Sequence, residues 1–389
     1  MAGRGAPVIV FGAFDRHNFG DLLFAHVAEA LLAPRRLHFA GLIARDMRAV
    51  GGHALEALQV LGARLGAQPV NLLHAGGEVL TCTDEEAAVM LLEPSAAQAL
   101  LSRGRTRVPL PFAAARLPYI ASPGQFPHVR MLFNAVGGVA LDRLDPPLRE
   151  EAAAALRTAA WLGVRDWRTQ AALRTAGIAA RLLPDPATMV PALFAARIAR
   201  HAAQGEVAAV RDVFPRGYLA VQFSSDFGDD ATLSLLASQL DEAAAAHRLG
   251  IALFRAGAAP WHDDLDVLAR LHARMRCPVH VFESLDIWDI CALIGASVGF
   301  AGSSLHGRIV AAAFGLSRVS CTRLWPVPGK QDAYAHTWDT EWPACTGPAA
   351  LAAAIAAALA VPAEARRQHA QAMQARYLAA FRDLAAALM

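Results

Sequence analysis

The chain has 389 residues, 55% of them hydrophobic, and a formal net charge of +2 at pH 7. That length accommodates two domains, the apolar fraction fills two cores, and the near balance of charge without a long basic run argues against a nucleic-acid partner. No uninterrupted apolar stretch is long enough to span a bilayer, and Cys82, Cys277, Cys291, Cys321 and Cys345 show no CxxC or Cys/His ligand spacing, which predicts reduced thiols, no structural zinc and a cytoplasmic protein.

In chain order, "PVIVFGAF" (7–14) reads as a buried strand, and "LLFAHVAEALL" repeats apolar residues at helical spacing. The joint "FGAFDRHNFGDLL" (11–23) therefore lies at the carboxyl end of a strand, where parallel α/β sheets bind ligands. Gly20 is expected to free the turn, Asp21 to cap the helix, and the first-turn amides to favour an anion. Plain turn and cap chemistry for Asn18, Gly20 and Asp21 is an equal reading at this point. Further strands are expected at 37–44, 68–74, 129–136, 161–165 and 180–183, with helices at 21–33, 54–65, 84–102, 147–159 and 167–176. Residues 104–128 hold several prolines and no period, and read as a long loop of the kind that is often functional.

The alternation restarts with strands at 218–224, 250–255, 278–282, 297–301 and 317–321, and helices at 231–247, 262–276, 286–296, 305–314 and 348–360. The expected class is α/β: two Rossmann-like domains facing across a cleft. Residues 1–195 form the first domain, 196–217 a linker, 218–362 the second domain, and 363–389 a closing amphipathic helix that crosses back.

Several strand–helix joints carry candidate chemistry. "LLHAGGEVL" (72–80) sets Gly76 and Gly77 after a strand ending at His74. "FNAVGG" (133–138) repeats the device, although each glycine joint alone is usually just a turn. In "LGVRDWRTQAALRTAGI" (162–178), Arg165 ends a strand and could fork onto a carboxylate or phosphate, or simply neighbour Asp166 at a solvated helix start. The strongest joint is "VGFAGSSLHGRIVAAAFG" (298–315): Ser303, Ser304 and Arg308 make an anion pocket, with His306 placed to move a proton. Lys330 stands in a loop downstream. Asp263, Asp264 and Asp266 could hold a divalent ion, but acid-rich helix starts are ordinary dipole chemistry, and no metal is expected. His262 precedes the same helix. GxxxxGK[ST], HExxH, GxSxG and a well-placed GxGxxG are absent, which weighs against ATP hydrolysis, zincin, serine-hydrolase and dinucleotide redox chemistry.

Taken in order, "NFGDLL" (18–23), "HAGGEVL" (74–80), "VRDWRTQAALRTAGI" (164–178), "LPDPA" (183–187), "SSLHGRIVAAAFGLSRV" (303–319) and Lys330 resemble the polysaccharide pyruvyl transferase family. Ser304 stands where many members carry arginine, and His74 and Glu78 depart from a plainer glycine run. The resemblance implies a GT-B-like fold and transfer of pyruvate from phosphoenolpyruvate to two hydroxyls of a sugar or lipid-linked glycan, forming a ketal, with no cofactor. It implies peripheral membrane association only through that acceptor. It casts His306, Arg308 and Asp21 as catalytic, and Asn18, Gly20, Gly76, Gly77, Arg165, Ser303, Ser304 and Lys330 as substrate-binding. The first domain would take the acceptor and the second the donor. A GT-B glycosyltransferase using a nucleotide sugar and a non-catalytic glycan-binding member are the alternatives.

Overall fold

A strand covered on both faces by crossover helices must be apolar on both faces, and the runs identified above meet that demand. The computed structural model describes residues 5–93, 95, 96, 98, 116–121, 128–323, 329–340, 342 and 345–389. Most of the expected loop 104–128 lies outside the described residues. The chain divides into a unit of residues 1–186 with 376–389, and a unit of residues 187–375.

In the first unit, β1 (Val8–Phe11) leads into α1 (Phe19–Leu32), β2 (Leu37–Gly41), β3 (Arg45–Asp46), β4 (Ala54–Ala57), α2 (Leu58–Leu65), β5 (Val70–His74), α3 (Asp84–Leu91), β6 (Val129–Val136), α4 (Pro146–Arg157), β7 (Trp161–Val164), α5 (Trp167–Thr175) and β8 (Arg181–Leu182). The sheet order is β3-β4-β2-β1-β5-β6-β7-β8, parallel except for the β3–β4 pair. Phe11, Leu72, Phe133 and Val164 stand fully buried at its centre, where each large apolar side chain contributes about 1.5–3 kcal/mol. Residues 54–57 form a strand rather than the start of the expected helix, pairing with both β2 and β3. Short-range period does not register such hydrogen bonding.

In the second unit, α6 (Val190–Ala202) and α7 (Gly205–Val213) precede β9 (Tyr218–Gln222), α8 (Asp230–His247), β10 (Gly250–Leu253), α9 (Leu265–His272), β11 (Val279–Val281), α10 (Ile287–Gly295), β12 (Gly299–Gly302), α11 (Leu305–Ala313), β13 (Ser317–Cys321), α12 (Lys330–Trp338), β14 (Cys345–Thr346), α13 (Leu351–Ala360) and α14 (Ala363–Ala386). The all-parallel order is β11-β10-β9-β12-β13-β14. Residues 196–217 are therefore not a bare linker. They carry most of α6 and all of α7, which bury Ile198, Val207 and Val210 within this unit.

The tail is one helix, as expected. Its Arg366 bonds the Gly315 carbonyl and Ser317 Oγ in the second unit. From Arg376 onward the chain counts with the first unit. There Tyr377 is fully buried, and its hydroxyl accepts from Asn134 Nδ2 at 2.8 Å. Met389 N donates to Asn71 Oδ1 at 2.9 Å.

Tyr377→Phe leaves the buried Asn134 amide without that acceptor. It should lower stability by about 1–3 kcal/mol, read as an earlier midpoint in urea unfolding. An unchanged midpoint would show that the bond contributes nothing.

Candidate active site

Both sheets place their first strand at a reversal of strand order, β1 between β2 and β5, and β9 between β10 and β12. Ligands of open α/β sheets bind at the carboxyl ends of the strands at such a point. The joints singled out in the sequence flank these two points.

In the first unit, the joint after β1 is held from below. Asp15 is fully buried and accepts from Leu42 N (2.6 Å), Ile43 N (3.1 Å) and Tyr119 Oη (3.1 Å). Burial raises its pKa above the usual carboxylate value, against the opposing pull of Arg16. Arg16 donates to Tyr119 Oη at 2.7 Å and lies 4.0 Å from Asp21. Asn18, not Asp21, is the N-cap of α1: its Oδ1 accepts from Gly20 N at 3.2 Å and Asp21 N at 3.5 Å. Gly20 therefore sits in the first helical turn rather than in a strained bend. Gly76 and Gly77 do adopt positive φ (126° and 90°). Added Cβ atoms there would meet Phe24 at 2.9 Å and Asp21 Oδ1 at 3.2 Å, so the close approach these glycines permit is that of α1.

Arg165 is 1% exposed and clamped by two carboxylates, Asp185 at 2.9 Å and Glu78 at 2.8 Å. Glu78 also accepts from Val139 N at 2.6 Å. Asp166 caps α5 by accepting from Thr169 N, and Thr169 Oγ1 accepts from Gly138 N at 3.0 Å. Three of the motif segments thus lock one another. The guanidinium, neutralised on both sides, is a structural tie rather than an open fork for an anion. His74 is also structural. It is stacked on Phe133, Nδ1 donates to the Leu132 carbonyl, and Nε2 accepts from Ala121 N. Burial lowers its pKa to about 3.

In the second unit, Ser304 caps α11 by accepting from Gly307 N at 3.1 Å, and His306 stands buried in the first turn. Ser303 Oγ accepts from Ser224 N and donates to Gln222 Oε1. Gln222 in turn donates to Asp263 at 2.7 Å. Asp263 further accepts from Ala256 N and Gly257 N, while Asp264 caps α9 and Asp266 is exposed. The acidic run thus holds the loop and caps the helix. His262 lends its carbonyl to Ser225 N.

Arg308 is fully buried, and Nε donates to Asp339 at 2.8 Å and Nη1 to Ser320 Oγ at 3.4 Å. Asp339 also holds Arg318 at 2.6 Å and His369 at 3.1 Å. Burial would raise the Asp339 carboxyl, but Arg308 and Arg318 hold it well below the usual range. Arg308 is thus committed within the second core instead of lining an anion pocket with Ser303 and Ser304.

Lys330 opens α12 rather than lying in a loop, and its neighbour Gln331 donates to the Ser303 carbonyl at 2.6 Å. That bond draws the start of α12 to the Ser303 joint. A signal overlooked in the sequence marks the position: Lys330 is the only lysine among 36 lysine and arginine residues. Asp263, Gln222, Asp185 and Asp339 were also missed as partners, since nothing in local spacing reveals a contact across the sheet.

Residues 128–321 match the model for the polysaccharide pyruvyl transferase family, so the resemblance read from the motifs is borne out over that stretch. No curated protein matches the sequence. Among solved structures, the chain is similar to UDP-N-acetylglucosamine 2-epimerase from Rickettsia bellii (8% identity, TM-score 0.55, 98% of this chain and 97% of that chain). It is also similar to UDP-GlcNAc 2-epimerase from Methanocaldococcus jannaschii (10%, 0.52, 92% and 94%) and α,α-trehalose-6-phosphate synthase from Burkholderia multivorans (11%, 0.51, 99% and 97%). At these identities the likeness is one of fold, and it is the GT-B-like class that the family resemblance implied, with the two Rossmann-like domains expected from the strand–helix alternation.

Burial raises the Asp263 carboxyl to about 7, against the Ala256, Gln222 and Gly257 donors. The native state therefore keeps this proton up to about pH 7, while the unfolded chain releases it near about 3.9. Stability should fall as pH rises through that window, because the native state binds more protons there. Asp263→Asn should flatten the fall in a denaturation series from about pH 4 to 8; an unaltered slope would assign the pH dependence to other groups.

Proposed function

We propose that this chain, matching the polysaccharide pyruvyl transferase family through residues 128–321, transfers the pyruvyl group of phosphoenolpyruvate to two hydroxyls of a sugar in a polysaccharide or its precursor. The observation that carries the reading is the Ser303–His306 joint, where a capped helix start, a buried histidine in the first turn and the start of a second helix bearing the only lysine meet. The positive end of a helix dipole and an ammonium suit phosphate and carboxylate. Histidine is the side chain whose ordinary pKa suits proton transfer near neutrality.

In this reading the donor is held by the second unit, at Ser303, Ser304 and Lys330. His306 gives a proton to the methylene carbon of the enol, and a sugar hydroxyl adds to C2. The second hydroxyl then replaces the phosphate at C2, and the protons lost by the two hydroxyls balance the methyl group formed and the phosphate released. The first unit takes the acceptor, and Asp21, in the first turn of α1 after the Asn18 cap, hydrogen-bonds a sugar hydroxyl. Arg165 and Arg308 serve this scheme by holding the joints in place. The reaction belongs in the cytoplasm, at the membrane when the acceptor is lipid-linked.

His306→Gln should keep phosphoenolpyruvate binding within a few-fold and lose turnover by roughly 10²–10⁴, measured as phosphate release with a panel of lipid-linked and nucleotide-linked sugars. Retained turnover would move the proton transfer elsewhere. Release of a nucleoside diphosphate from a nucleotide sugar, with no phosphate from phosphoenolpyruvate, would favour the glycosyltransferase reading. Binding without turnover would favour the glycan-binding one.

The single lysine permits a second test. An amine-selective reagent should inactivate the enzyme by modifying Lys330, and phosphoenolpyruvate should protect it. Mass spectrometry reads the site, and full activity after complete modification would remove Lys330 from donor binding.

A further inference from the structure

We infer that the first unit carries a binding site for a zinc-type divalent cation, formed by His26, Glu29 and His53, away from the joints described above. His26 and Glu29 share one face of α1 at i, i+3 spacing. His53 reaches the same place from the loop that follows the short 3-10 turn Arg48–Val50. One donor atom from each lies within 4.8 Å of the other two.

The protonation pattern suits a metal. His26 Nε2 lies 2.8 Å from the Gly51 carbonyl, which can only accept, so Nε2 carries the proton. In the neutral ring that leaves the lone pair on Nδ1, the atom 3.9 Å from Glu29 Oε2. A carbonyl that fixes the tautomer of a ligating histidine is the usual outer partner of such sites. His53 Nε2 stands 3.2 Å from the same Oε2. Neighbouring donors on a tetrahedral zinc are about 3.3 Å apart, given metal–ligand bonds of about 2.0–2.2 Å. The Glu29–His53 spacing already fits. The Glu29 side chain is 55% exposed and can turn to close the other.

Both walls are prebuilt. The His53 ring packs, tilted, against Phe39 at 4.0 Å and against His26 at 4.1 Å between centroids. The His53 carbonyl accepts from Met47 N, and Gly52 N donates to the Met47 carbonyl, closing the loop on itself. Two imidazoles and one carboxylate select a borderline cation such as Zn²⁺ over Mg²⁺ or Ca²⁺. Ligation through His53 Nε2 uses the tautomer with the proton on Nδ1, so the proton moves from one ring nitrogen to the other, and the fourth position is left to water. The expectation of no metal rested on ligand spacing along the chain, and these donors come from a helix and from a loop beyond the next strand.

The test is equilibrium dialysis of the full chain, stripped by chelator, against Zn²⁺, with Co²⁺ as the spectroscopic probe. One equivalent of Zn²⁺ should bind, with d–d bands of tetrahedral Co²⁺ and a melting temperature that rises with metal concentration. Glu29→Gln, at an exposed position, and His53→Ala should each weaken binding by more than the roughly 10–100-fold that an outer-shell partner contributes. His38→Ala, on the neighbouring strand, should bind as the parent does. Absence of stoichiometric Zn²⁺ overturns the inference. So does metal that survives both substitutions, including metal lost on His201→Ala, which would place it in the second unit beside Asp286 and Asp289.

Discussion

A parallel strand covered by helices on both faces can hold a polar side chain in its middle only where a partner meets it, as Tyr377 meets Asn134, because it would otherwise be desolvated unpaired. Every other feature of this protein follows from that constraint. Val8–Phe11, Val70–His74, Tyr218–Gln222 and Gly299–Gly302 are buried along their whole length. The polar joints fall at residues 12–21, 75–80, 165–169, 222–225 and 303–306, all at carboxyl ends.

The same constraint explains the density of buried charge. A joint that must hold its shape under a ligand is tied by groups that cannot leave water unpaired. Arg165 has Glu78 and Asp185, Arg308 and Arg318 have Asp339, and Asp15 has two backbone amides and Tyr119. Removing one member of such a buried pair typically costs about 3–5 kcal/mol. These ties are therefore expensive to break and make poor ligand sites, because their charges are already neutralised.

In the proposed reading, the residues used for chemistry, His306 and Lys330, are those that these ties position. The Ser303 joint rests on Gln222, Ser224, Asp263 and Gln331, which orient the start of α11 and bring the start of α12 to it. A family resemblance in sequence marks such residues together with their supports. Arg165, Asp166 and Thr169 belong to the motif because they lock a turn, whereas His306 belongs to it as the candidate acid.

The sequence by itself determined the alternation of strands and helices, the two sheets, the closing helix and the positions of the joints, because period and turn chemistry are local properties. It also carried an unread clue in the only lysine. What tertiary structure alone decided is the work each polar side chain does. Asn18 rather than Asp21 caps α1, His74 is spent on two backbone groups, and Arg308 turns inward to Asp339, 31 residues on. The assignment of 54–57 to a strand and of 196–213 to helices was likewise decided by neighbours distant in the chain. Local spacing states which face a residue occupies, while the partner across the sheet, set by strand order, decides whether its charge is consumed or left for a ligand.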